Sequence, residues 1–453
     1  MKQFWKTTTA FLLCALLALS LAACSADSAA QTAAESGKTS LTTSTDGTAL
    51  ATQSDGESLA QSEEQTVQTT IPANPETGEA ATQSGEVSIT ANTSSDGAMD
   101  ASDLFSQRDL RQTADQSGAV TYSVSDGTDV TISTGGVYVL QGSAANVTVY
   151  VEAGDEDKVQ LVLNGLTVAN DRFPVIYVKN ADKVFVTTVA STENSLSVTG
   201  TFRADGSTNT DAVIFSRDDL VLNGLGSLRI SSTDNGVSCK DELKITGGVL
   251  TVSAKGHGLE ANDGIAMADG TVSVTAGQDG LHAENDDDDR EGWIYVCGGT
   301  LDVNAADDGL HAVSILQIDG GTLNVSAAEG MEGTWIQIND GAITIQASDD
   351  GINGARKSNS YTACVEINGG VLNVTMGQGD TDGIDSNGNL TITGGEINVN
   401  AQSPFDYDGT LTHTGGTVTV NGVQTTNITN QFGGGPGGGP GGGWNNGGRG
   451  RGH

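Results

Sequence analysis

From residue 226 onward, apolar and polar positions alternate in short bursts, and each burst opens on a glycine. "GSLRIS" begins at 226, "GVLTVS" at 248, "GTVSVT" at 270, "GTLDVN" at 299 and "GTLNVS" at 321. "GAITIQ" at 341, "GVLNVT" at 370, "GEINVN" at 395 and "GTVTVN" at 416 continue the series. The glycines are separated by 22, 22, 29, 22, 20, 29, 25 and 21 residues, so one short unit recurs, with insertions at two places. Period-two alternation over so short a run predicts a strand buried on one side, as in Leu301 with Val303 or Leu323 with Val325. Two more strands fit each unit. One follows an acid–glycine pair, as in Leu310 with Ala312, and one precedes the next glycine pair, as in Leu316 with Ile318.

A single winding of this kind cannot bury its apolar side, whereas a stack of windings makes a continuous core. The pattern therefore predicts an all-β fold, a right-handed three-faced parallel β-helix over residues 119–422. The hand follows from the chirality of parallel crossover connections. Val120 to Leu222 is less regular and reads as the first windings and N-terminal cap of the same solenoid.

Outside that body the alternation stops. Residues 24–118 are Ser, Thr, Ala, Gln and Glu with hardly an aromatic ring, too little apolar surface to offset the entropy of ordering. They are expected to form a disordered tether, and the Gly/Pro-rich residues 423–453 a disordered tail. Residues 1–23 start basic, "MKQFWK", and continue into "AFLLCALLALS", an apolar run too short to span a bilayer. "LAAC" then ends on Cys24 and looks like a bacterial lipobox. The expectation is a lipoprotein signal peptide, a lipid-modified Cys24, and display at the cell surface with the lipid anchor as the sole membrane contact.

The charge narrows the partners. Fifty-seven acids against 20 bases give a net −37, which disfavours nucleic acid and anionic membranes and suits a protein whose acids hold divalent cations. Cys239, Cys297 and Cys364 are far apart, odd in number and without metal-ligand spacing, so buried thiols are favoured over a disulfide.

The acids are not scattered. The position before each turn glycine reads Asn235, His257, Asp279, Asp308, Glu329, Asp350 and Asp382. In a stack these would lie about 4.8 Å apart and repel by roughly 1 kcal/mol per pair even in water. Calcium takes oxygen ligands at about 2.3–2.6 Å, so one ion between two such carboxylates reverses the sign. A second file, Asp218, Asp241 and Asp263, recurs before the third strand, with Asp286 to Asp289 on the same side. Against calcium stands the plain reading that Asp-Gly makes good turns and that the acids are solvated.

Two outward files offer a ligand something to touch. Trp293, Ile315, Trp335 and Cys364 occupy one position of successive third strands, which sets the tryptophans about 10 Å apart, near the spacing of two sugars. The insertions 284–291 and 355–362 could equally fold over these rings. The second strands present Glu260, His282, His311, Glu332, Asn353 and Asp385, groups that hydrogen-bond hydroxyls or make an ordinary polar face. The candidate sugar contacts are Trp293, Trp335, His282, His311 and Glu332. No Ser/His/Asp set, HExxH, nucleophile elbow or phosphate loop is present. A polysaccharide lyase would need a basic residue beside acids, and Arg217, Lys240, Arg356 and Lys357 are the candidates; such pairs are more often surface ion pairs.

"VYVLQGSAANVTVYVEAGDEDKVQLVLNGLTV", "NTDAVIFSRDDLVLNGLGSLRI", "GVSCKDELKITGG" and "DGLHAENDDDD" together resemble the clostridial carbohydrate-binding β-helix proteins. The resemblance covers residues 120–422. It implies a calcium-containing, pectate-lyase-like right-handed helix that binds cellulose-like or polygalacturonate-like polysaccharide without known cleavage. It further implies Asp218, Asp241 and Asp263, with the "DDGLHA"-type acids, as calcium ligands. The resulting expectation is a monomeric surface lipoprotein that binds polysaccharide with Ca2+. A calcium-dependent lyase and a structural adhesin are the alternatives.

Overall fold

The computed structural model describes residues 87–94, 97–378 and 381–430; the signal peptide, Cys24, residues 25–86 and the tail from 431 lie outside them. Among the described residues there is no helix, and 32 strands join in one sheet. Each strand of the repeat runs parallel to its equivalent one unit away. Val249–Ser253 pairs with Thr271–Ala276, and that strand with the second half of Trp293–Ala305.

The register aligns like with like. Leu250, Val272, Leu301, Leu323, Ile343 and Leu372 follow one another in successive first strands, each at most 4% exposed. Leu281, Leu310, Met331, Ile352 and Ile384 do the same in the second strands, and Ile265, Ile294, Leu316, Ile336 and Val365 in the third. Burial of these aliphatic files, at roughly 25 cal/mol per Å2 of apolar surface, is what a 4% aromatic chain uses in place of large rings. The earlier strands join the same three files: Lys183–Thr188 pairs with Asp219–Gly224, and Glu193–Val198 with Ser227–Ser231. At the C-terminal end Val423–Thr425 folds back antiparallel on Thr417–Val420, which carries the sheet past the expected boundary at 422.

The turn glycines have a steric cause. A Cβ on Gly309 would lie 2.2 Å from Val325 Cγ1 and 2.5 Å from the Gly330 carbonyl, and Gly258, Gly280, Gly330 and Gly351 meet the next repeat unit in the same way. None of these five has a left-handed φ, so close approach of successive turns, rather than backbone conformation, demands glycine.

The expected tether does not extend to 118. Residues 87–94 and 97–113 lie against the third strands, held by side chains of the sheet. Gln112, only 2% exposed, donates to the Thr246 carbonyl at 2.8 Å and accepts from the Gly224 N–H at 3.0 Å. Lys244 donates to the Leu104 carbonyl at 2.7 Å, and the N–H groups of Ala98 and Met99 donate to Gln337 and Gln317. Ile89, Met99, Leu104 and Phe105 supply just enough apolar surface for docking. Composition averaged over ninety residues conceals this short amphipathic end.

Candidate functional site

The acids before the turn glycines stand in one file, as the repeat predicts, and two of them hold a backbone group of the next unit. Asp279 Oδ1 accepts the backbone N–H of Asp308 at 2.9 Å, and Asp350 Oδ1 that of Asp382 at 3.1 Å. Asn235 Oδ1 does the same for His257 at 2.8 Å. An Asp or Asn here satisfies a backbone donor one repeat unit on, while the glycine after it lets the units approach.

Asp279, Asp308 and Glu329 also meet the neighbouring file. Glu260, His282, His311, Glu332, Asn353 and Asp385 follow one another in register on the second strands. Asp279 Oδ2 lies 2.6 Å from His282 Nδ1 and 3.2 Å from His257 Nδ1. His311 Nδ1 sits between Asp308 Oδ2 at 2.7 Å and Glu332 Oε2 at 2.9 Å, and Lys357 reaches Glu332 at 2.7 Å. The three imidazoles stack, His257 on His282 at 4.3 Å and His282 on His311 at 4.9 Å between ring centres.

This interleaving sets the charge states. Burial alone would lower the His311 pKa, but its bonds to Asp308 and Glu332 carry it up to about 10. Burial would raise that of Asp279, yet His257 and His282 hold it well below the usual carboxylate range. Further along the file the bases run out. Burial, then the neighbouring Glu332, Asp308 and Asp350, push Glu329 up to about 7. Asp350 rises to about 6 and Asp385 to about 7, again through burial first and neighbouring acids second.

The other acidic file is only partly assembled. Burial and a hydrogen bond shared with Asp263 raise Asp241 to about 7. Asp263 also accepts from Asn285 Nδ2 at 2.6 Å. Asp218 spends its Oδ2 on the Ala181 N–H at 3.0 Å, and burial raises its pKa. Asp288 is drawn to Arg290 within the first insertion, and Asp289 accepts from Asn359 Nδ2 at 3.1 Å, which braces the two insertions against each other.

The expected sugar contacts need correction. Trp293 and Trp335 do occupy equivalent positions two repeat units apart, but Trp293 is 7% exposed. Ala101, Leu104 and Phe105 pack over this patch, and Tyr361 of the second insertion lies 6.4 Å from the Trp335 ring. A flat aromatic face is as good a dock for the chain's own apolar segment as for a pyranose, and the segment is tethered to it. His282, His311 and Glu332, with side chains 16%, 13% and 6% exposed, are taken up by the ion pairs above and offer a sugar little. Cys239, Cys297 and Cys364 are free thiols.

A pocket that the repeat pattern did not reveal lies among the earlier strands. A cavity of about 250 Å3 is lined by Tyr150, Phe173, Arg172 and Arg203, together with Asp129, Asn146 and Asp171. Arg203 lies 5.1 Å over the Phe173 ring, and Lys179 4.9 Å over Tyr150. A second depression, which shares Asp171 and Arg172, continues it past Thr199 and Gly200. The sequence signal was the pair of Arg–aromatic steps, Arg172–Phe173 and Phe202–Arg203, in a chain with few bases. These sit in the irregular connections, where an alignment on the glycine repeat does not look.

Comparison with known proteins gives this architecture a family. The sequence pattern of carbohydrate-binding domain-containing proteins matches residues 126–335 and again 328–431. A carbohydrate-binding domain-containing protein of Acetivibrio thermocellus is 32% identical over 126 residues, which are 27% of this chain and 44% of that relative. The match thus spans less than half of the relative's length. A polysaccharide lyase-like protein from C. thermocellum, solved as a gadolinium derivative, superposes with a TM-score of 0.43 at 24% identity, covering 57% of this chain and 97% of that one. With the family pattern running through more than half of its residues, the chain belongs to the carbohydrate-binding domain-containing proteins.

Proposed function

We propose that this chain is a cell-surface lipoprotein whose right-handed three-faced β-helix binds an acidic, polygalacturonate-like polysaccharide without cleaving it. The carrying observation is the pocket between Arg172 and Arg203. Guanidinium groups match carboxylates in bidentate geometry, and Tyr150 and Phe173 line the pocket with aromatic surface for a pyranose to pack against. Asp129, Asn146 and Asp171 accept from hydroxyls. Two arginines beside aromatic rings are what lets a strongly acidic chain receive an acidic ligand. Parallel pairing of each strand with its equivalent in the next unit supports the helical winding, and crossover chirality supports its right hand. Lys240 and Lys357, which a lyase would draw on, are engaged with Glu260 at 3.1 Å and Glu332 at 2.7 Å.

Co-sedimentation of the mature chain with insoluble polygalacturonate and with cellulose tests this reading. Each guanidinium–carboxylate contact contributes about 1.5–3 kcal/mol, so Arg172→Ala with Arg203→Ala should weaken polygalacturonate binding by more than about tenfold. Binding by the double variant as strong as that of the wild type would refute the pocket. Unsaturated product absorbing in the ultraviolet would replace binding by a lyase reaction.

Calcium is part of the same reading, and the oxygen-only sets fit it best. Asp241 shares a hydrogen bond with Asp263 and is raised further by Asp219 and Glu242, the arrangement a hard divalent cation relieves. Asp279 and Asp308 face imidazoles and fit it less well. A carboxyl whose folded pKa is raised binds its proton in the folded state first, so stability falls as pH rises from about 4 through the folded value. Without calcium, Asp241, Glu329 and Asp385, each at about 7, therefore make the protein more stable at pH 5 than at pH 8. Added Ca2+ should raise the melting temperature at pH 8 by several degrees and far less at pH 5. Equal effects at both pH values would remove calcium from these carboxylates.

A further inference from the structure

The histidine end of the ladder is chemically unlike the rest, and calcium does not explain it. Nδ1 of His257 and Nδ1 of His282 lie 3.2 Å and 2.6 Å from Oδ2 of Asp279, and ligand atoms of the three residues fall within 4.8 Å of one another. We propose that His257, Asp279 and His282 form a site for a borderline divalent ion of the Zn2+ class, distinct from any calcium site.

The donor set is two imidazole nitrogens and one carboxylate oxygen, which suits Zn2+, Co2+ or Ni2+ and not a hard cation. In a tetrahedral zinc site, bonds of about 2.0–2.2 Å hold ligand atoms about 3.3 Å apart. Here Asp279 Oδ2 is 3.2 Å from one nitrogen and 2.6 Å from the other, so side-chain shifts below an ångström would seat the ion.

The surroundings already orient the donors. Glu284 lies 3.3 Å from Nε2 of His282, the carboxylate support that ligating histidines commonly carry on their second nitrogen. Asp279 Oδ1 is fixed by the Asp308 N–H, which aims Oδ2 at the rings. The Asp279 N–H also lies 3.3 Å from Nδ1 of His257, which keeps that ring against the acid. Side-chain exposures of 19% and 16% at the two histidines leave an entry path and a fourth position for water. His311 does not qualify, because its Nδ1 is committed between Asp308 and Glu332. The third group, Asp308 with Glu329 and Glu332, has no nitrogen at all.

The test uses the full chain freed of metal by chelation and titrated with Zn2+ alone, then with Zn2+ in a large excess of Ca2+. One Zn2+ should bind in both, more than about tenfold weaker in His257→Gln and in His282→Gln and unchanged in His413→Gln. Thermal unfolding in EDTA verifies that each variant folds. Co2+ added to the wild type should give the visible bands of a low-coordinate site with nitrogen ligands, a readout that needs no variant. Displacement of Zn2+ by Ca2+, unaltered affinity in both histidine variants, or a Co2+ spectrum like that of the hydrated ion would each overturn the proposal. None of these outcomes bears on the glycan pocket.

Discussion

Replacing His311 with glutamine lowers the unfolding free energy by about 3 kcal/mol at pH 7 in EDTA, one of the two largest single-residue effects expected in this chain. The reason lies in what remains. Asp308 and Glu332, 9% and 6% exposed, would keep buried charges with the cation between them gone. Glutamine preserves size and one hydrogen bond, so the loss reports charge. The sign of the pH dependence is fixed by the raised His311 pKa. A histidine with a folded pKa of about 10 stabilises fully below its unfolded value of about 6.5, and that contribution fades as pH climbs through 10. The gap between wild type and variant in urea unfolding should therefore be wide at pH 6 and nearly closed above pH 10. Adding Asp308→Asn should recover part of the loss, because it removes one of the stranded charges. A gap independent of pH would mean that the imidazole acts through packing alone.

Gly309→Ala should be comparably damaging for a different reason, at about 3 kcal/mol. The new methyl would meet Val325 Cγ1 and, less forgivingly, the carbonyl of Gly330. A side-chain tip can turn away, but a backbone carbonyl cannot move without stretching the ladder above it. The same repeat occurs at Gly330, where the Gly351 carbonyl lies 2.3 Å from the Cβ position, so Gly330→Ala should behave alike. Ser326→Ala, on an exposed outward position, should stay within about 0.5 kcal/mol of wild type. Equilibrium unfolding of the three variants separates them. A neutral Gly309→Ala would mean that successive turns are farther apart than described.

The repeated Asp-Gly pair shows what a sequence of this kind discloses and what it withholds. Period-two alternation and a fixed repeat length placed Leu301, Leu323 and Ile343 in one buried file, because stacking requires equivalent residues to meet. The same arithmetic put Asp279, Asp308 and Glu329 in line. It did not show that the second-strand file sits within hydrogen-bonding reach of them, since that depends on how sharply the turn bends. Two lists that looked separate, acids for metal and histidines for sugar, are consequently one ladder. Trp293 and Trp335 were placed correctly along the stack, yet their cover comes from residues 87–113, whose composition gives little sign of docking. Arg172, Phe173 and Arg203 were missed because they lie in connections that break the period.

Successive repeat units bringing an imidazole between two carboxylates is the arrangement on which the rest depends, and its protonation can be read directly. With only five histidines in the chain, selective 15N labelling and NMR titration in EDTA resolve the His311 ring. The account predicts an imidazolium that persists through neutrality and loses its proton only near pH 10. A midpoint near the ordinary value of about 6.5 would contradict it.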